Sequence, residues 1–540
     1  GEGGDRRHLG VGAMTAKTGT YYVTTPIYYA SGDLHIGHAY STVAADALAR
    51  FNRLRGRSTF FLTGTDEHGQ KVERKAQAAG KDPQTYVDEV VAQIVQLWDR
   101  LNISYDDFLR TTEPRHTRVV QRIFERFLSQ GDVYKSEYEG WYCTPCETFW
   151  LERQLVAGRC PNPECGREVQ LLKEESYFLR LSKYADRLLE HIANYPDFIQ
   201  PASRRNEMVS FVRQGLEDVC VTRTTFRWGI PVPWDEKHVV YVWVDALSNY
   251  ISALGYLSDE PGGDERFRTF WPADVHIVGK EIMRFHAIIW PIMLMALDLP
   301  LPERVFGHGW LTGTDGGKMS KSKGNVVDPM VLADKYGVDA VRYFLLRDLP
   351  FGADGRYSEA ALIDRTNVDL ANDLGNLLNR TLTMVEKYCG GVVPEPRPDA
   401  ADRAMERLLG EVVPAVEKAM DELQIPVALE TIWRLPGLGN RYIEDNAPWN
   451  LAKDPASRAR LDTVLYNLLE TLRATAALLV PFLPETAVRI WGQLGLEADP
   501  RRIAWADVAR WGQSTPGTRT RKGPPLFPRI DPAVALGLEE

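Results

Sequence analysis

The sequence predicts an α/β protein, with a doubly wound nucleotide-binding fold that is interrupted by an inserted module and followed by a long helical region. Three observations carry this reading. A β-α-β pattern opens the ordered part of the chain, four cysteines fall in one short window between its two halves, and from residue 364 onward the apolar residues recur at helical spacing.

Bulk composition narrows the class. A chain of 540 residues exceeds one hydrophobic core, so about two to four domains are expected. Hydrophobic residues at 44% and charged residues at 25% are enough to bury a core without disulfides and exclude a disordered chain. With 64 basic against 73 acidic residues, the net charge of −9 speaks against wholesale electrostatic capture of nucleic acid, so any RNA contact must be local and shape-matched. The longest apolar run, 287–297, contains Pro291 and falls short of the roughly 20 residues a membrane span requires. No signal-peptide pattern precedes it, and no membrane partner is expected. Four of the six cysteines lie close together, which suits a metal site in a reducing compartment, so a cytoplasmic protein is expected.

Along the chain, residues 1–18 lack periodicity and do not begin on a methionine, and read as a disordered or non-native leader. The aromatic and β-branched YYVTTPI at 21–27 predicts a buried strand. A helix is predicted from about His38, with Ala44, Ala47, Leu48, Phe51 and Leu54 recurring at three and four, and Gly56 ending it. A second strand at 59–63 completes β-α-β with parallel pairing, the first half of the nucleotide fold, assigned to 19–115. Residues 80–130 read as helical, after which the aromatic KSEYEGWYC at 135–143 changes the character of the chain, so an inserted module is assigned to 116–238. Strands at 239–244 and 275–278 and an apolar helix over 285–297 predict the second half of the fold at 239–307. A loop region follows at 308–363. Leu370, Leu374, Leu377 and Leu378 then begin the helical stripe of a region assigned to 364–515, and the Pro-rich end, 516–540, reads as a strap.

Three motifs carry candidate chemistry. GTDGGKMSKSKGN at 313–325 holds Lys318, Lys321 and Lys323 among flexible glycines, with Lys280 as a candidate fourth partner; a basic mobile loop suits a polyphosphate, and also fits a solvated surface loop. His35, Gly37 and His38 lie between a strand and a helix, where backbone N–H groups and the helix dipole attract phosphate, although a histidine pair there also fits local capping. Cys143-Thr-Pro-Cys146 and Cys160-Pro-Asn-Pro-Glu-Cys165 have the spacing of paired knuckles on one tetrahedral zinc, with free buried cysteines as the alternative. The second spacing is wider than the commoner one. Four thiolates leave no open position on the ion, so the site is structural. Cys220 and Cys389 read as isolated core residues.

HIGH at 35–38 and KMSKS at 318–322 together resemble the signature pair of class I aminoacyl-tRNA synthetases. TTPIYY at 24–29, GTDEHG at 64–69, VWVDAL at 242–247 and GKEIMRFH at 279–286 resemble the methionyl-tRNA synthetase family, and the match runs from about residue 20 to the C-terminal end. The resemblance implies a Rossmann-like catalytic domain with a zinc-bearing connective module, followed by an α-helical bundle that binds the anticodon. It implies ATP, methionine and tRNA(Met) as partners, Mg²⁺ with the ATP, methionyl-adenylate and pyrophosphate as products of the first step, and transfer of methionine to the 3′ end of the tRNA. Carried over by position, His35, Gly37, His38, Lys318, Ser320, Lys321 and Ser322 would bind ATP, with Lys321 the principal catalytic group, Lys318 the second, and His35 and His38 stabilising developing charge. Asp66 would pair with the substrate ammonium, while Ile27, Tyr29, Trp243, Ala246, Leu247, Tyr250, Ile282 and His286 would line the side-chain pocket. Aromatic walls suit a thioether, with a Tyr or His group near the sulfur separating it from plain hydrocarbons. Trp243 taken alone equally fits ordinary core. Arg223 matches a position the family associates with the active site, but the surrounding DVCVTR departs from the usual pattern. Asn376, Arg380 and Trp449 fall at the anticodon-reading positions; without the resemblance, the Asn–Arg pair fits a solvated helical surface. The rivals are a class I synthetase for a branched aliphatic amino acid, whose editing insertion would not fit in 116–238, and an inactive tRNA-binding paralogue, against which both intact signatures speak. Because the chain stops soon after the bundle, without the dimerising tRNA-binding domain of many bacterial relatives, a monomer is expected.

Overall fold

The computed structural model describes residues 19–30, 32, 34–319, 324–397 and 400–538, and divides into two compact units. The expected leader, 1–18, lies outside the described residues. Among the described residues the first unit takes in those up to 45, 59–99 and 105–310, and the second 46–58, 100–104 and those from 311 onward.

In the first unit, β1 (Thr20–Thr24) is buried at all but its first residue, as a strand of a sheet covered on both faces must be. A turn leads to β2 (Tyr28–Tyr29) and then to helix Ile36–Leu54, which starts two residues before the predicted His38. β3 (Ser58–Asp66) and β4 (Asp107–Arg110) follow, β3 pairing in parallel with both β2 and β4. β4 interrupts the stretch predicted as continuously helical, and the helices Pro83–Arg100 and Pro114–Ser129 flank it. β5 (Val133–Cys143), β6 (Thr148–Trp150) and β7 (Gln170–Leu179) then build an antiparallel sheet. Within the segment assigned to the inserted module, β8 (Ile199–Gln200) pairs with the parallel sheet, while β9 (Val219–Cys220) pairs with β7. β10 (Thr222–Arg223), β11 (Ile230–Val232) and β12 (Asp235–Val240) form a three-stranded antiparallel sheet. β13 (Val275–Gly279) and β14 (Val305–His308) return to the parallel sheet, with Val23 opposite Val275 and His276 opposite Val305. Among the described residues that sheet runs β2-β3-β1-β13-β14-β8, with β4 on β3.

The strand predicted at 239–244 is corrected by the structure. Extension ends at Val240 inside the antiparallel sheet, and Val242–Leu247 is helical, burying Val244, Asp245 and Leu247. A short apolar run fits either element, and the contacts of Asp245 described below decide it. The apolar segment at 285–297 is helical as predicted, π-helical over Phe285–Ile289 and α-helical over Trp290–Ala296.

The second unit is mainly helical. Its helix Arg458–Leu479 is buried without a break from Thr463 to Leu479, and its two buried charges, Glu470 and Arg473, pair with each other. Glu470 also accepts from the backbone N–H groups of Gly512 (2.6 Å) and Gln513 (2.5 Å). The C-terminal segment is tied on further by Asn367, whose amide bonds both the N–H and the carbonyl of Ile530 at 2.8 Å. No helix among the described residues is long and apolar enough to cross a membrane.

Asp46 and Arg342 form a fully buried ion pair at 2.7 Å within this unit. Arg342 also donates to the carbonyls of Phe482 (2.9 Å) and Leu101 (3.1 Å), and Asp46 accepts from the Ser104 N–H (2.7 Å) and hydroxyl (2.6 Å). Burial opposes charge on Asp46, but Arg50, Arg342 and Ser104 outweigh it and hold its carboxyl at about 2. Removing one partner leaves the other charge buried alone, so Asp46→Asn should cost roughly 3–5 kcal/mol in chemical denaturation at pH 7. Because the folded pKa lies below the unfolded value of about 3.9, the contribution is complete above that pH and fades as pH falls toward 2. The Asp46→Asn variant should therefore show a flatter acid-unfolding profile than the parent, and identical profiles would exclude the pair as a source of acid sensitivity.

Candidate active site and metal centre

β3 ends on Asp66, and parallel pairing sets Tyr29 of β2 opposite it. Asp66 is 6% exposed, and its Oδ1 is buried with no hydrogen-bond partner among the described residues. Burial, then the neighbouring Asp245, Glu147 and Glu67, push its carboxyl well above the usual range. Such a group is poised to take a cation, because a positive partner would relieve both effects at once. The other carboxylates already have partners. Asp245 accepts from His68 Nδ1 (2.7 Å) and His116 Nε2 (2.9 Å), and His116 Nδ1 meets the Ser252 hydroxyl at 2.7 Å. Burial would raise Asp245, yet the two imidazoles hold it below the ordinary value. Glu147 accepts from the Tyr29 hydroxyl at 2.7 Å. A small cavity is bounded by Asp66, His68, Gly69, Glu147, Tyr241 and Asp245.

Tyr250, Ile282 and His286 come together through hydrogen bonds. His286 Nδ1 lies 3.1 Å from the Ile282 carbonyl, which can only accept, so Nδ1 carries the proton and Nε2 accepts from the Tyr250 hydroxyl at 2.6 Å. Burial lowers His286 to about 4, and the ring is neutral at pH 7. His276 lies against Tyr250 with ring centroids 4.3 Å apart and planes tilted by 39°, and is held by Thr24 and Trp290. Trp243 sits on a helix rather than the predicted strand, half-buried and stacked on Phe285 at 3.9 Å. The pair borders a cavity of about 480 Å³ that also reaches Phe149, Trp150 and Tyr241. Leu247 is buried, while Ala246 and Ile27 are half-buried.

At the start of helix Ile36–Leu54 the Gly37 N–H donates to His35 Nδ1 (3.0 Å) and the His35 N–H donates to His38 Nδ1 (3.0 Å). The two rings therefore cap the helix, with centroids 4.2 Å apart. A Cβ on residue 37 would lie 2.7 Å from His35 Cε1, so only glycine allows this arrangement. In the second unit the Lys318 carbonyl accepts from Asn325 Nδ2 at 3.1 Å. Ser320, Lys321, Ser322 and Lys323 lie outside the described residues.

The four cysteines Cys143, Cys146, Cys160 and Cys165 bring their sulfurs within 4.8 Å of one another, so together they could hold a metal ion. Cys143 and Cys165 are 3.5 Å apart and Cys146 and Cys160 3.8 Å, near the roughly 3.8 Å edge of a tetrahedron with ~2.3 Å metal–sulfur bonds. Glu175, Asp235 and His238 make a second close group, but Lys135 already bridges its carboxylates at 3.0 and 2.9 Å. Cys220 is buried beside Ser176, whereas Cys389 is half-buried between Arg458 and Asp462, not the core residue expected. Arg223 is buried against Glu174 (2.8 Å), with its guanidinium 4.3 Å from the Tyr142 ring and 5.0 Å from that of Phe149. In the helical unit, Asn376 and Arg380 line a shallow depression of about 380 Å³ with Asn440, Arg441 and Glu444, and Arg380 pairs with Glu444 at 2.8 Å. Trp449 is 39% exposed on the short helix Pro448–Leu451 and does not line that depression; Pro448 beside it is buried.

Sequence reasoning missed Glu147, His116 and Asp245. A lone carboxylate in the apolar run VWVDAL was a readable signal for Asp245, since a buried acid requires a partner. Nothing local marks His116 or Glu147, whose partners are 129 and 118 residues away in sequence.

A family model described as tRNA synthetases class I (M) matches residues 21–171 and 163–382, and one for the anticodon binding domain of methionyl tRNA ligase matches 393–531. A methionine–tRNA ligase of Caldanaerobacter subterraneus is 58% identical over 95% of this chain and 79% of its own length, and one of Clostridium perfringens 56% over 95% and 78%. Mycobacterium tuberculosis methionyl-tRNA synthetase in complex with methionyl-adenylate superposes with a TM-score of 0.90 at 44% identity, covering 94% of this chain and all of that one. Continuous similarity at this level across both units leaves no room for a shared fold alone: the chain belongs to the methionyl-tRNA synthetase family.

Proposed function

We infer that the protein activates methionine with ATP, forming methionyl-adenylate and pyrophosphate, and transfers the methionyl group to the 3′ end of tRNA(Met). The observation that carries the amino-acid site is Asp66, a buried carboxyl with an unpartnered oxygen opposite Tyr29. An ammonium group there restores its charge and satisfies the oxygen. Ile27, Tyr29, Trp243, Ala246, Leu247, Tyr250, Ile282 and His286 are the proposed walls of the side-chain pocket. With His286 neutral and the Tyr250 proton directed at it, these two groups offer a thioether no strong donor, so burial and ring contacts supply the binding. His35, Gly37, His38, Lys318, Ser320, Lys321 and Ser322 are proposed to hold ATP. The backbone N–H groups that the two rings cap would exchange the histidine nitrogens for phosphate oxygens. Lys321, then Lys318, would stabilise charge as the carboxylate attacks the α-phosphorus, an in-line displacement that needs positioning rather than acid–base chemistry. Mg²⁺ bound with the ATP neutralises phosphate charge. Monomeric state and cytoplasmic location remain proposals within this reading, the first checked by sedimentation. In methionine-dependent ATP–pyrophosphate exchange, Asp66→Asn should raise KM for methionine by roughly 30-fold or more, the scale of a lost buried charge contact. Lys321→Ala should instead lower kcat with methionine binding retained. Unchanged parameters in either variant would remove that residue from the site.

The ion proposed for the four thiolates is zinc, in a structural role. One zinc per chain should appear in metal analysis, and Cys143→Ala should lose it while the parallel sheet stays folded, as read by proteolysis and circular dichroism. Full activity in a metal-free chain with four titratable thiols would refute the site.

Asn376, Arg380 and Trp449 are proposed to read the anticodon, a role supported by the exposure of Trp449 and by the family match over this unit. Base stacking on an indole is worth about 1–3 kcal/mol, so Trp449→Ala should weaken tRNA charging by that amount while leaving pyrophosphate exchange and thermal stability intact. Parallel loss of all three would mean that Trp449 serves the fold.

A further inference from the structure

Glu147 directly follows Cys146, at the end of the first cysteine turn, and its N–H closes that turn on the Thr144 carbonyl at 3.2 Å. Its backbone has φ +49°, in the left-handed region that favours glycine and that a glutamate occupies only under strain. Strain of this kind persists where the side chain is needed. The Glu147 side chain turns into the protein at 7% exposure, where Oε1 accepts from the Tyr29 hydroxyl (2.7 Å) and from the Lys71 N–H (3.1 Å). Opposite this contact stands Gly69, with φ +117°; a Cβ there would lie 2.7 Å from the Tyr29 hydroxyl and 2.8 Å from Glu147 Oε1. Tyr29, the 69–71 turn and the cysteine turn thus meet on one carboxylate oxygen, and Tyr29 is itself opposite Asp66.

We propose that Glu147 is a positioning residue that joins the four-cysteine turn to the amino-acid pocket, so that an ion held by the thiolates fixes Tyr29 and the loop after Asp66 for methionine binding. The inference rests on the reading of Asp66 and Tyr29 as part of the methionine site. It explains why a glutamate stands where glycine would be unstrained. Glu147 touches no reacting atom. It acts through Tyr29 and the Lys71 backbone, and its loss should therefore weaken methionine binding more than ATP binding or turnover.

The strain makes the test decisive, because replacing Glu147 with glycine relaxes the backbone while removing the carboxylate. For Glu147→Gly we expect one metal per chain and a melting temperature equal to or above that of the parent. KM for methionine should rise about tenfold, the scale of one lost contact to a charged group, with KM for ATP and kcat within about twofold. Glu147→Gln keeps an acceptor for both donors and should recover most of the loss. Tyr29→Phe should reproduce the effect, and the double variant Tyr29→Phe, Glu147→Gly should be no worse than either single one, since both remove the same contact. A methionine KM unchanged in the metal-loaded glycine variant would overturn the proposal, as would additive effects in the double variant. Loss of metal or a lowered melting temperature in Glu147→Gly would equally overturn it, by showing a role in folding the cysteine turn. Asp66→Asn, assayed alongside, separates the two readings: if it too leaves methionine KM unchanged, the pocket assignment fails rather than the link to Glu147.

Discussion

Four acidic side chains, Asp66, Glu67, Glu147 and Asp245, are buried in one region of the first unit, and the need to compensate them governs the structure around the site. Three are neutralised or bonded by the protein. Glu67 takes Arg110 at 2.7 Å, Asp245 takes two imidazoles, and Glu147 takes a phenol and a backbone N–H. Asp66 alone keeps a buried oxygen without a partner among the described residues. Buried charge is costly unless paired, so this imbalance is maintained only because the remaining fold is stable enough to hold it. Under the proposed function the ammonium of the amino acid would complete the compensation.

The segments that provide the partners come from distant parts of the chain. β3 ends on Asp66 and Glu67 directly follows it, helix Pro114–Ser129 carries His116, the cysteine turn carries Glu147 and helix Val242–Leu247 carries Asp245. The inserted segment therefore supplies side chains to the proposed site. It also returns a strand, β8, to the parallel sheet, and holds Arg223 against the Tyr142 and Phe149 rings. The guanidinium packs against these rings and pairs with Glu174 at 2.8 Å, while its Nη1 is buried without a hydrogen-bond partner among the described residues.

Parts of the fold were legible because local chemistry and final structure agree. The helix with Ala44, Ala47, Leu48 and Phe51 forms where its spacing requires, as do β1 and β13, and the cysteine spacings bring four sulfurs together. The strand expected at 239–244 failed for a physical reason. Its residues favour extension locally, but helical geometry is what turns Asp245 inward to His68 and His116, and tertiary contact outweighs propensity over so short a run. The role of His35 and His38 was open between capping and phosphate binding, and the structure contains the capping arrangement.

Sequence alone determined the class of fold, the family and the four cysteines that come together, because each depends on residues close together in the chain or on motifs whose spacing is constrained by chemistry. Only the tertiary structure decided how the acids are partnered, that Glu147 reaches Tyr29, that the Tyr250 hydroxyl donates a hydrogen bond to His286, and that Trp449 faces solvent. These depend on contacts between residues separated by tens to hundreds of positions. Burial and hydrogen-bond pairing are properties of the folded arrangement, and no local pattern of residue types encodes which buried group is left without a partner.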